Sequence, residues 1–248
     1  MDIRTFYRWG TLPFFYRWTT SLQPWLFAIT LILFSLGLLW ALYIAPPDYK
    51  QGEAYRIIYI HVPAAWMSLF VYIVMAFAGL VLLVWRVKLA ELLHRECAVI
   101  GAAFTAITLL TGMLWGKPMW GAFWVWDARL TSELILLFLY LGVIVLGTAI
   151  DDREKAARAT AVLAIVGVVN IPIIHYSVIW WNTLHQGPTI TKLDAPSAHV
   201  TILLPLLYMA VVFKLYFVTT LLTRIRMRIA DTCREQHWFK QYYDLKRG

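Results

Sequence analysis

Two of the six histidines stand on either side of the densest aromatic run in the sequence. His61 lies in IIYIHVPAAW and His185 in WWNTLHQGPT. Between them WGKPMWGAFWVWD carries Trp115, Trp120, Trp124 and Trp126 with one Phe in 13 residues. Two neutral imidazoles can hold an iron from its two axial sides. Aromatic surface on this scale, if open to water, usually marks a binding site. The residue types therefore suit a planar ring with a central metal. Lys117, Arg129 and Arg56 are cations that could meet its acidic edge, although each could equally be a loop charge, the reading favoured for Arg56. The plainer alternative is an interfacial belt in which tryptophans anchor helix ends and each histidine is only a hydrogen-bonding group. His175, in NIPIIHYS, and His199 compete with His61 and His185 for the ligand role, and spacing does not rank the four. His94 and His237 read as surface residues.

Neighbouring residues carry local expectations. Gly116, Pro118 and Gly121 predict that regular helix stops near 115 and that the aromatic segment runs flat. Asp127 is placed to cap the helix that follows, and Arg129 and Glu133 have the i, i+4 spacing of an ion pair. Pro172 predicts a kink, with Asn170 one turn earlier helping to satisfy freed backbone groups.

The elements that must position these residues are membrane helices. Of 248 residues, 61% are hydrophobic and only 15% charged, whereas soluble domains are about one-quarter charged. Six stretches have the roughly 20 apolar residues that a bilayer crossing needs: about 23–45, 60–86, 97–115, 129–150, 160–181 and 199–222. The expected fold is an all-α integral membrane protein, a single domain over 1–248 with a basic tail from 223. FYRW occurs at 6–9 and again at 15–18, which reads as an interfacial anchor with Arg4, Arg8 and Arg17 facing anionic lipid. Lys and Arg number sixteen on one set of alternating segments and four on the other, Lys50, Arg56, Lys117 and Lys192. That asymmetry predicts both termini in the cytoplasm, with 46–59, 116–128 and 182–198 facing outward. The net charge of +8 is thereby read as an orientation signal and not as a nucleic-acid footprint. Cys97 and Cys233 form no CxxC or CxxCH, so neither a redox pair nor a covalent heme site is encoded. No Walker A, nucleophile elbow or HExxH is present, and no enzyme activity is expected.

WGKPMWGAFWVWDARLTSELILLFLY resembles the tryptophan-rich signature of the heme-handling proteins that mature bacterial c-type cytochromes by the system I pathway. YRIIYIHVPAA and NIPIIHYSVIWWNTLHQG look like the histidine segments that flank it. The resemblance implies that heme b is bound at the periplasmic face of the inner membrane and delivered to a membrane-tethered heme chaperone. It also implies that His61 and His185 are the heme-interacting histidines, and that Trp115, Gly116, Trp120, Gly121, Trp124, Trp126 and Asp127 form the heme-binding motif. Phe123 departs from the pattern, since many members carry Trp there; the flat face is kept and an N–H donor is lost. The implied partners are an ATP-binding cassette transporter of two other proteins and a very small membrane protein. Relatives that ligate heme to apocytochromes are larger, so the length resembles that of a loading member.

Three rival readings remain at this level. A permease subunit would need a polar path through the bundle, for which Asn170, His175 and Lys214 are thin support. A b-type redox protein would place histidine pairs at two depths within helices. A structural anchor leaves the outer histidines unexplained.

Overall fold

The computed structural model describes residues 10–181, 183, 185 and 199–247. Arg4, Arg8, the first FYRW copy, Lys192 and nearly all of the expected outward segment 182–198 lie outside the described residues. Helix α1 (Leu12–Leu39) runs on into a π-helical stretch, Trp40–Ile44. A 3₁₀ turn, Glu53–Ile57, leads into α2 (Ile58–Trp85). There follow α3 (Lys88–Trp120), α4 (Ala128–Ala149), the pair α5 (Arg153–Gly167) and α6 (Asn170–Trp180), α7 (Val200–Cys233) and α8 (His237–Arg247). Among the described residues, six helical segments are long and apolar enough to cross a bilayer, with α5 and α6 together making the fifth. This is the expected all-α membrane architecture. α2 and α3 form its most extensive contact, and α1 packs chiefly on α7. Much of α1 turns outward, with Trp25, Phe27 and Ile32 exposed to what would be lipid.

Several boundaries differ from the sequence expectation. α3 does not stop at 115: it continues through Gly116 and Pro118 to Trp120. Gly121 ends it with φ 79°, a left-handed conformation that glycine adopts without strain, and its N–H donates to the Lys117 carbonyl (3.0 Å). Pro118 costs one helical bond, too little to break a helix whose aromatic face is packed. The break in the fifth span falls at Val168–Val169, before Pro172, where N–H groups turn to the carbonyls of Ile165 and Val166. Pro172 thus sits in the first turn of α6, where its missing N–H costs nothing. Asn170 serves another helix: its Nδ2 donates to the Ser132 carbonyl of α4 at 3.0 Å.

The bundle centre depends on small residues and internal polar partners. Gly101 has no room for a Cβ beneath the Tyr140 ring, and Gly167 none beside the Tyr72 hydroxyl. The two tyrosine rings meet edge to face at 5.0 Å. Tyr140 Oη donates to the Ser68 carbonyl (2.7 Å), and Ser68 Oγ lies 2.7 Å from Glu133 Oε1. The expected Arg129–Glu133 pair is not among the ion pairs. Arg129 Nη1 donates instead to the Ile174 carbonyl of α6 (2.7 Å), a partner that the one-helix view could not supply.

At the end away from the tryptophans, α7 extends well past 222, so the first part of the expected tail is helix. Glu96, 2% exposed, meets Arg224 Nε at 2.7 Å and Arg228 Nε at 3.3 Å. His94 is buried and not a surface residue, its Nδ1–H donating to the Met75 carbonyl (3.0 Å). His237 is exposed, as expected. Cys97 and Cys233 are both buried and free.

Gly101→Ala should lower thermal stability in detergent by about 1–3 kcal/mol, because the added methyl must displace Tyr140 from a packed site. Fluorescence-detected unfolding of both proteins checks this, and an unchanged midpoint would show that Tyr140 moves freely.

Candidate functional site

The last turns of α3 carry Thr111, Gly112, Trp115, Gly116 and Trp120, related by four-residue steps (111 to 115, 112 to 116, 116 to 120) and so close to one face. His61, in the first turns of α2, lies against this face. Its Nδ1 is 2.9 Å from Thr111 Oγ1. A Cβ at Gly112 would come within 3.2 Å of its Cε1, so that glycine makes the space the ring occupies. Trp115 meets the ring edge-on at 5.6 Å. The indole is itself fixed, with Nε1 donating to Gln51 Oε1 (2.8 Å) and Tyr55 packing at 5.8 Å.

Arg56 is not the solvated charge expected of it. Its Nη1 donates to the carbonyls of Ala45 (2.6 Å) and Ala41 (3.1 Å), and its Nε pairs with Glu53. The guanidinium pins the segment before α2 to the end of α1, and is committed there.

One turn further along α3, Trp120 leans over Gly116, where a Cβ would lie 3.0 Å from its ring atoms. The His185 ring meets that indole at 4.9 Å and 64°. Asp127 joins His185 to α4: Oδ1 accepts the Leu130 N–H (2.8 Å), the cap expected from sequence, while Oδ2 lies 3.0 Å from His185 Nδ1. A carboxylate can only accept, so His185 Nδ1 carries the proton and Nε2 holds the lone pair. Burial pushes the His185 pKa below the usual histidine range, with the Arg129 cation acting the same way; the Asp127 charge and hydrogen bond oppose both.

α3 thus brings His61, His185, Trp115 and Trp120 to one end of the bundle. The rest of the aromatic segment is not one flat wall. Trp124 and Trp126 meet edge to face at 79°. Trp126 is 75% exposed, whereas Trp124 Nε1 is buried with no hydrogen-bond partner among the described residues. Lys117 donates to the Gly121 carbonyl (3.0 Å) and lies over the half-exposed Phe123 ring at 5.2 Å. The two competing histidines stand apart. His175 is exposed on α6 beside Tyr176, and His199 caps α7 at the Thr201 N–H. Among the described residues no three His, Cys, Asp or Glu groups cluster as a metal site. Thr111, Gly112, Gln51 and Tyr55 were not singled out by sequence reasoning. The spacings Thr111–Trp115 and Gly112–Gly116 were the available signal for the first two; Gln51 and Tyr55 had none.

A family model described as heme exporter protein C matches residues 5–240. The heme exporter protein C of Escherichia coli K12 is 47% identical over 99% of this chain and 98% of its own length. That of Haemophilus influenzae is 48% identical over 91% of this chain and 92% of its own. A putative cytochrome c biosynthesis mitochondrial protein of Marchantia polymorpha is 49% identical over 70% of this chain and 73% of its own.

Asp127→Asn keeps an oxygen for the Leu130 N–H but removes the negative charge facing His185. The His185 imidazole should then titrate at still lower pH, since the field favouring its charged form is gone while burial remains. Histidine NMR shifts followed against pH in metal-free protein measure this; an upward move would mean that the carboxylate does not face the ring in solution.

Proposed function

The chain belongs to the heme exporter protein C family, and from that membership we propose that it binds heme b as cargo and delivers it for c-type cytochrome maturation. His61 and His185 are its axial ligands, and the recipient is a membrane-tethered heme chaperone. The observation that carries this reading is the matched state of the two histidines. Each has its Nδ1 within 3.0 Å of an oxygen acceptor, Thr111 or Asp127, and each packs on an indole of the same helix end. Metal-bound histidines characteristically tie the other ring nitrogen to an acceptor in this way.

The remaining residues suit an amphipathic ring. Trp115, Trp120, Trp124 and Trp126 supply aromatic surface, Gly116 admits the Trp120 ring against the helix, and Gly121 turns the chain with its positive φ. Trp124 Nε1, buried without an acceptor among the described residues, is a donor that a heme propionate would satisfy, which offsets the N–H lacking at Phe123. Asp127 acts through His185. The exposed Trp126 and Phe123 leave an apolar edge where the chaperone can dock. In this reading the aromatic end faces the periplasm of the inner membrane, as the Lys and Arg asymmetry favours. The Glu96–Arg224–Arg228 end and both termini face the cytoplasm. The ATP-binding cassette transporter subunits and the small membrane protein are the partners proposed with it. In this reading the chain binds and positions heme for the transfer.

Optical spectra of detergent-purified protein test this. Wild type should show a low-spin b-type spectrum that becomes high-spin or is lost in His61→Ala and in His185→Ala. Unchanged spectra in both variants would sink the axial assignment. Trp124→Phe should leave the stability of the empty protein unchanged or slightly raised, because no hydrogen bond is lost and an unsatisfied donor is removed. It should release heme faster than wild type. A destabilised empty protein would mean that the indole N–H is already satisfied.

A further inference from the structure

Thr111 presents its hydroxyl to His61 in a state that can only accept. Thr111 Oγ1 lies 2.6 Å from the Ile107 carbonyl and 3.2 Å from the Thr108 carbonyl, so its single proton is committed to the α3 backbone. Its lone pairs are what remain for His61 Nδ1 at 2.9 Å. The ring must then carry its proton on Nδ1 and its lone pair on Nε2. Rotation away from this state is restricted, because the ring lies so close on the α3 backbone that a Cβ at Gly112 would come within 3.2 Å of its Cε1, and Trp115 stands edge-on beside it.

We propose that Thr111 is the positioning residue for His61: it fixes the tautomer that leaves Nε2 open, and so prepares that nitrogen for the iron of the cargo. The assignment rests on the reading of His61 as an axial ligand. It makes the two ligands unequal. His185 donates to a carboxylate, which raises the basicity of the ring strongly. His61 donates to a neutral hydroxyl, which raises it less. The His61 bond to iron is therefore the weaker of the two, and the one that yields first when cargo leaves.

The test uses full-length protein with ¹⁵N-labelled histidine, first empty and then loaded with heme. In empty wild type the His61 shifts should report a protonated Nδ1. Thr111→Ser, which keeps the oxygen, should match it. Thr111→Val, which keeps the shape, should move the proton to Nε2. Loaded Thr111→Val should show a midpoint potential above that of wild type, since the less basic ligand stabilises ferric iron less. It should also lose heme about tenfold faster. A protonated Nε2 in empty wild type overturns the proposal without any variant, as does a tautomer unmoved in Thr111→Val. His61→Ala separates the two ideas. If it loses the low-spin spectrum while Thr111→Val leaves the potential unmoved, the role of Thr111 alone falls. If its spectrum is unchanged, the axial reading falls and the role of Thr111 goes with it.

Discussion

Within a bilayer a polar side chain finds no water, so each must be answered by another part of the protein. That constraint organises this bundle. Ser68, Glu133 and Tyr140 answer one another across α2 and α4. Asn170 reaches the backbone of α4, and Arg129 reaches that of α6. These last two bonds run in opposite directions between the same pair of elements, which ties the short α6 to the start of α4. His185 follows closely after α6, and Asp127 immediately precedes α4. The contact between the imidazole and its carboxylate therefore inherits its geometry from polar bonds made inside the membrane.

The same constraint acts at both ends of the molecule. At one end, Glu96 is held by Arg224 and Arg228, while His94 has its Nδ1 held by the Met75 carbonyl and its buried Nε2 without a partner among the described residues. Breaking such a buried set by removing one partner is costly, so it holds α3 and α7 in one register. At the other end the polar groups are satisfied on one side only. His61 and His185 each have one nitrogen held, and Trp124 has its N–H held by nothing among the described residues. The Gly112 and Gly116 contacts let imidazole and indole lie directly on the α3 backbone.

Sequence by itself determined the number of spans and the membrane class, because apolar length is a property of the chain and needs no partner. It also determined the Asp127 cap, a bond between neighbours in sequence. What it could not determine were the contacts between helices. The i, i+4 spacing of Arg129 and Glu133 was right for a pair, yet each found a better partner on another helix. His94 looked like a surface residue because its carbonyl partner lies on α2. Pro118 looked like a helix breaker because local propensity cannot weigh one lost bond against a packed aromatic face. Only the tertiary structure brought Thr111 and Asp127 within hydrogen-bonding reach of the His61 and His185 rings, and such a juxtaposition is made by packing and has no signature in the order of residues along a chain.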